Sequence, residues 1–385
     1  MLITVGCSPR TDPTIPSAMT VVKTNWSPVR TFLDSVITSG AAPGAVLGVS
    51  VAGQRYVYAT GRLTRDEPAP AEPTTVYDLA SLTKVVGLTA AVMLAVDDGK
   101  LELDAPVQRY VPAFVGDGKE RVTIRLLLAH ASGLPAWRPL FHETATREEA
   151  LALVDTTALS SPPGTRDLYS DLGMIVLTQA VEAVYHERLD SLLARRIFQP
   201  LGMTSVGFLP TGDPARIAPT ELDAWRGRIL RGEVHDENAA RLEGVSGHAG
   251  LFGSAPDLLT FGEWVVTGGQ ADRWTGGAVE QSDRPTVSPA VRREFTRRQN
   301  LVPGSHRTLG WDTPTPGSSA GHRLSSSSIG HVGFTGTSLW IDPEYQLVIV
   351  LLSNRVNPTR ANSAWAPVRA RIADLVMATI FEETR

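Results

Sequence analysis

SLWIDPEYQLVIVLL, Ser338 to Leu352, reads as two strands and the turn between them. Ser338–Ile341 is strand-like, Asp342, Pro343 and Glu344 supply turn chemistry, and Leu347–Leu352 is an unbroken apolar run suited to a central strand covered on both faces. Working outward, Val368, Ile372, Leu375, Val376 and Ile380 recur at helical spacing and predict an amphipathic helix after the strands. The other end of the chain carries the same parts in reverse order. Ser27 and Pro28 read as a cap and a first helical position, and Val29, Phe32, Leu33, Val36 and Ile37 give that helix an apolar face ended by Gly40 and Pro43. Val46–Ala52 and Arg55–Ala59, joined at Gly53 and Gln54, predict an antiparallel hairpin. Residues 100–330 read as helix and loop, broken by many Gly and Pro. The expectation is an α+β fold: an antiparallel β-sheet flanked by N- and C-terminal helices, with an inserted, mostly helical lobe. Residues 1–26 are expected to be a flexible arm. Residues 27–385 then form one domain, with a sheet lobe (27–80 and 331–385) and a helical lobe (about 81–330).

Composition narrows the function. The 385 residues are 42% hydrophobic and 20% charged, which excludes a mainly disordered chain, a coiled coil and a collagen-like fibre. A formal charge of −4 gives no general attraction to nucleic acid or anionic membrane. No apolar run reads as long enough to span a bilayer. The single cysteine, Cys7, forbids an internal disulfide. Met1–Cys7 (MLITVGC) lacks the basic start and apolar length of a lipoprotein signal, so the sequence as given predicts a cytoplasmic protein. A start further upstream would instead make it periplasmic or lipid-anchored. Only four lysines occur, Lys23, Lys84, Lys100 and Lys119; the chain otherwise uses arginine, so each lysine position is informative.

Three segments carry chemistry. Ser81 and Lys84 are three residues apart at the head of an apolar, Ala-rich stretch closed by Gly99, which predicts a buried helix with both side chains on one face. A desolvated lysine can take the proton of a serine hydroxyl, and a helix start adds free N–H groups beside it. The same spacing also fits a helix cap with a lysine reaching for solvent, but an idle charge in so apolar a stretch would be costly. Tyr169 and Asp171 follow the turn Pro163-Gly164-Thr165 and open a second apolar helix. Tyr169 could carry a proton between nucleophile and leaving group; equally, it could be a packed tyrosine with Asp171 as helix cap. Gly330-His331-Val332-Gly333-Phe334 precedes the last strand pair, where glycines would let a substrate lie along a strand edge. The Phe334 N–H could join that of Ser81 in holding an oxyanion. Taken alone, this segment reads as a Gly-rich approach with a surface histidine.

In this order, Ser81-x-x-Lys84, Tyr169-x-Asp171 and His331-x-Gly333 resemble the serine penicillin-recognising superfamily, in particular class C β-lactamases, D-alanyl-D-alanine peptidases and family VIII carboxylesterases. Val122–Leu134 (VTIRLLLAHASGL), Gly232–Ala239 (GEVHDENA), Gly244–Phe252 (GVSGHAGLF) and Gly333–Leu339 (GFTGTSL) support the resemblance over roughly residues 28–382. It implies Ser81 as the acylated nucleophile, Lys84 as its partner and Tyr169 as general acid/base. The Ser81 and Phe334 N–H groups would form the oxyanion hole, with neither metal nor cofactor. The substrate would be a small ester, a peptide or a β-lactam-like molecule; the oligomeric state stays open.

Two departures from that pattern matter. His331 stands where β-lactamases carry lysine, and a histidine is neutral part of the time near pH 7, so weak β-lactam turnover is expected. Asp171 stands where many relatives carry Asn, and a carboxylate there would favour a charged Lys84 with Tyr169 as base. His235, Asp236, Glu237 and His248 have metal-ligand chemistry, but contiguous side chains diverge, so a structural or entrance-shaping role is expected. Trp137, Trp225 and Trp264 read as core or rim residues. The leading expectation is a serine hydrolase acting on a small ester or D-alanyl-type amide. Its rivals are a penicillin-binding sensor without turnover, an acyltransferase of the same fold and a metal hydrolase.

Overall fold

The computed structural model describes residues 25–269 and 285–381; the expected arm and MLITVGC lie almost wholly outside them. Among the described residues ten strands occur in chain order: β1 (Gly44–Val51), β2 (Gln54–Gly61), β3 (Tyr77–Asp78), β4 (Gly207–Phe208), β5 (Leu222–Asp223), β6 (Arg228–Ile229), β7 (Leu251–Gly253), β8 (Ile329–Val332), β9 (Ser338–Asp342) and β10 (Leu347–Ser353). Five form an antiparallel sheet in the order β2-β1-β10-β9-β8. The first and last parts of the described chain thus meet at its centre, where Gly48 faces Val350. A small sheet β3-β7-β4 and the ribbon β5-β6 lie in the helical part of the molecule.

Both faces of the large sheet are covered, which is why β10 is apolar at every position. Leu347, Ile349 and Leu351 join one core with Val29 and Leu33 of the N-terminal helix Ser27–Thr38 and Val368, Ile372 and Val376 of the C-terminal helix Ala366–Ile380. The alternate residues Val348, Val350 and Leu352 join a larger core with Leu258 and Leu259 of the helix Ala255–Thr267. That helix packs closely because of Gly262: a Cβ there would lie 2.4 Å from a Val348 methyl.

Two local expectations shift. The β1–β2 turn is Ala52-Gly53, one residue earlier than read, with φ of 47° and 82°, the mirror-image turn that suits a two-residue hairpin. The N-terminal helix begins at Ser27 itself and is preceded by Trp26, so Ser27 is not its cap. Against expectation, one stretch is long and apolar enough to span a bilayer. Ala80–Asp97 reaches 18 residues with mean hydropathy 1.5, but 83% of it is buried inside the protein, where it forms core.

Candidate active site

Ser81 sits on a constrained bend rather than in the first turn of a regular helix. β3 ends at Asp78, and Ala80 takes φ +47°, a left-handed conformation that costs a non-glycine residue free energy. The buried Asp78 carboxylate holds the bend: one oxygen accepts from the Ala80 N–H (2.8 Å), the other from the His235 N–H (2.6 Å). A tight 3₁₀ turn over Ala80–Leu82 leads into a wide π-helical segment, Lys84–Thr89, and only then into the α-helix Ala90–Asp97. Short π segments are found at functional sites because they re-aim side chains.

Lys84 is 1% exposed, and all its partners belong to the site. Its ammonium lies 3.0 Å from the Ser81 hydroxyl, donates to the His248 carbonyl at 2.8 Å and is ion-paired with Asp171 at 2.7 Å. Burial alone would pull its pKa down; attraction to Asp171 and Tyr169 outweighs this and holds it above the ordinary lysine value. Lys84 is therefore a cation at rest. Asp171 is free to serve it because Ser170 caps the helix Asp171–Tyr185, accepting from the Gly173 N–H at 3.1 Å. The reading of Asp171 as the cap is thus corrected by one residue.

Tyr169 stands beside this pair. The Lys84 ammonium is 4.9 Å from its ring centroid, and its phenol interacts with both Lys84 and the Ser81 hydroxyl. Burial above all, with a smaller push from Asp171, raises the phenol pKa, while Lys84 and Ser81 pull it down; the net result lies above the ordinary tyrosine value. At rest the phenol keeps its proton, so a standing phenolate base is not what the structure holds.

The edge strand β8 closes the site. His331 is not a surface residue: it is 2% exposed, its ring is 5.8 Å from that of Tyr169, and its Nδ1 is paired with the Val332 carbonyl at 2.8 Å. Burial, above all, lowers its pKa to about 4, partly countered by Asp312. It is thus neutral at pH 7 throughout, not part of the time. Gly333 lies where the β8–β9 turn meets the Ser81 segment: a Cβ there would be 2.0 Å from the Thr337 hydroxyl and 2.5 Å from the Leu79 carbonyl. Thr335 and Thr337 pin this approach by donating to the Asp78 (2.7 Å) and Leu79 (3.0 Å) carbonyls. Phe334 is half exposed at 49%, with its carbonyl held by Arg355 at 2.9 Å.

A family model described as Beta-lactamase matches residues 29–374, nearly all of the described chain. The chain belongs to the beta-lactamase family. A protein of Escherichia coli (strain K12), provisionally named D-alanyl-D-alanine carboxypeptidase, is 31% identical over 355 residues, covering 83% of this chain and 78% of its own. Among solved structures, EstCE1, described as a hydrolase with promiscuous acyltransferase activity, superposes with a TM-score of 0.71 at 25% identity, covering 91% of this chain and 97% of its own. A penicillin-binding protein homologue from Caulobacter crescentus matches the fold with a TM-score of 0.73 at 20% identity, covering 92% and 97%.

Around the centre of this beta-lactamase-family site, the HDE stretch diverges as its contiguity predicts. His235 pairs with Glu221 at 2.8 Å, Asp236 with His248 at 3.0 Å and Glu237 with Arg360 at 2.7 Å. Among the described residues, no group of three His, Cys, Asp or Glu side chains gathers as a metal site would. Asp236 also caps the helix Glu237–Arg241 and steadies His248, whose carbonyl holds Lys84, so this stretch supports the lysine from behind. Trp264 is core, its indole N–H donating to Pro285. Trp137 and Trp225, 49% and 38% exposed, flank Phe141 at 6.4 and 5.2 Å as a rim. Trp137 follows Ala136, whose carbonyl accepts from the Asp171 N–H.

Two further neighbours were not singled out from the sequence. His130 lies inside the Val122–Leu134 stretch; its ring is 4.5 Å from Tyr169 and its Nδ1 accepts from the Ser170 N–H at 3.1 Å. Burial, helped by Arg307 and Lys84, holds its pKa well below the usual histidine value. Arg307 lies over the Tyr169 ring at 5.6 Å. Nothing marks it in a chain whose basic residues are nearly all arginine.

Proposed function

We propose that this protein is a serine hydrolase that cleaves a small ester or a D-alanyl-type amide through an acyl-enzyme on Ser81. The observation that carries the reading is the Lys84 ammonium, buried 3.0 Å from the Ser81 hydroxyl and fixed by Asp171 and the His248 carbonyl. The protonation states favour a relay. Ser81 Oγ attacks the substrate carbonyl carbon, and its proton passes to the Tyr169 oxygen. The phenol's own proton passes to the leaving oxygen or nitrogen as that bond breaks, and Lys84 stabilises the negative charge that builds between them. Water, or an alcohol or amine acceptor, then runs the relay in reverse on the acyl-enzyme. The N–H groups of Ser81 and Phe334 are assigned to the oxyanion, with Gly333 permitting the approach. These residues complete the steps as written without a metal or cofactor taking part. A neutral His331 offers a β-lactam carboxylate no cation, so β-lactam turnover is weak.

The test is a panel of p-nitrophenyl esters, a D-Ala-D-Ala peptide and nitrocefin, with mass spectrometry of the trapped protein. Sustained ester or peptide turnover that disappears in Ser81→Ala and falls at least a hundredfold in Tyr169→Phe is expected, with the acyl mass on Ser81. A single stoichiometric acylation without turnover would make the protein a binder instead. Near-normal turnover in Tyr169→Phe would remove Tyr169 from the mechanism.

A further inference from the structure

We propose that Arg307 is a positioning residue for Tyr169, fixing the ring and setting how readily the phenol exchanges its proton; this rests on the relay role given to Tyr169 above. The groups facing Tyr169 come from every surrounding element. They are the Ser81 hydroxyl and the Lys84 ammonium, Asp171 at the start of its own helix, His130 after the helix Ile124–Leu128, His331 on β8, and Arg307 from the loop before Trp311. Both histidines are buried and neutral, which leaves Lys84 and Arg307 as the cations. Lys84 is already committed to Ser81, Asp171 and His248. Arg307 lies over the face of the Tyr169 ring.

Its own fastening is elaborate for a residue outside the reacting centre. The guanidinium donates to Asp167 at 2.9 Å and pairs with Asp312 at its other end, and Ser305 holds the second oxygen of Asp167 at 2.7 Å. Asp312 is in turn fixed to β8 by two backbone hydrogen bonds with Gly330, both 2.9 Å. The two carboxylates therefore tie the cation to the segment that carries Tyr169 and to the edge strand, and of the three groups Arg307 is the one over the ring. A cation over a phenol's face favours the phenolate, and a planar guanidinium held at both ends keeps the ring from swinging. In a relay that demands a proton in and a proton out at one oxygen, both effects serve the same step.

The charges give the test opposite signs. The intact chain is made with tyrosine labelled at ¹³Cζ; of its seven tyrosines, the signal missing from Tyr169→Phe is assigned to Tyr169. Arg307→Gln removes a positive charge and should move the Tyr169 titration up by about one pH unit; Asp312→Asn removes a negative charge and should move it down by a similar amount. The alkaline limb of kcat should move with it. Arg307→Lys keeps the charge without the fork, so its Tyr169 titration should stay near that of the unaltered protein while kcat falls about tenfold with KM within about twofold. A Tyr169 titration unmoved in both charge variants, or moved the same way in both, overturns the proposal. Should Arg307→Gln fail to fold, the downward shift in Asp312→Asn decides alone. Persistent ester turnover in Tyr169→Phe would strike the relay itself, whatever the titrations show.

Discussion

At the scale of one residue, His331 shows how burial changes what a side chain means. Its position beside Gly333 was readable; its protonation state was not, because that depends first on burial by the folded chain and then on Asp312 and Lys84, brought from elsewhere in the sequence. With a folded pKa of about 4 against 6.5 for the ordinary side chain, the unfolded chain binds the extra proton between those values. Stability is therefore complete above pH 6.5 and is lost as pH falls toward 4, by on the order of 3 kcal/mol for this group. Urea unfolding at pH 7 and pH 4.5 should show a smaller loss in His331→Gln than in the unaltered protein; equal losses would contradict the assignment. Ser81 and Lys84 were legible because a three-residue spacing holds in any helical turn. Arg307 was not, since its meaning lies wholly in a contact across the fold.

At the scale of elements, the β8–β9 turn is fitted closely against the segment that leads into Ser81. Gly333→Ala would drive a methyl into the Thr337 hydroxyl and the Leu79 carbonyl, a backbone atom that cannot swing aside. The expected outcome is a loss of roughly 1–3 kcal/mol of stability and at least a hundredfold loss of kcat for a p-nitrophenyl ester. Wild-type kinetics in that variant would show that the turn yields without disturbing Ser81. The strands around it were readable from alternation and turn residues, to within a residue or so at the hairpin. The π-helical segment after Ser81 was not, because an apolar Ala-rich run satisfies α and π spacing alike; Lys84 at its start meets the His248 carbonyl and Asp171.

At the scale of the molecule, the sheet separates two cores, and the larger one holds Leu79, Leu82 and Val85, which flank Ser81 and Lys84 in sequence. Gly262 is buried in the helix Ala255–Thr267 and faces Val348 of β10, a residue of the larger core. Gly262→Ala should therefore lower stability by roughly 1–3 kcal/mol through its clash with Val348 while leaving kcat within about twofold. Calorimetry beside ester kinetics checks this; a parallel collapse of kcat would mean that the sheet and the site are not separable. The α+β architecture was legible because each end of the chain carries its own helix and strands, while which strand neighbours which was settled by β1 pairing with β10.

That pairing has a consequence for how the protein comes into being. The Thr337 hydroxyl reaches the Leu79 carbonyl across 258 positions of sequence, so the serine is made early and its surroundings arrive late. Helices can form locally while the polypeptide is still emerging from the ribosome, but closing a loop of that length waits for nearly everything between. Until β8 and β9 are delivered, a nascent chain lacks the turn whose threonines pin the segment leading into Ser81.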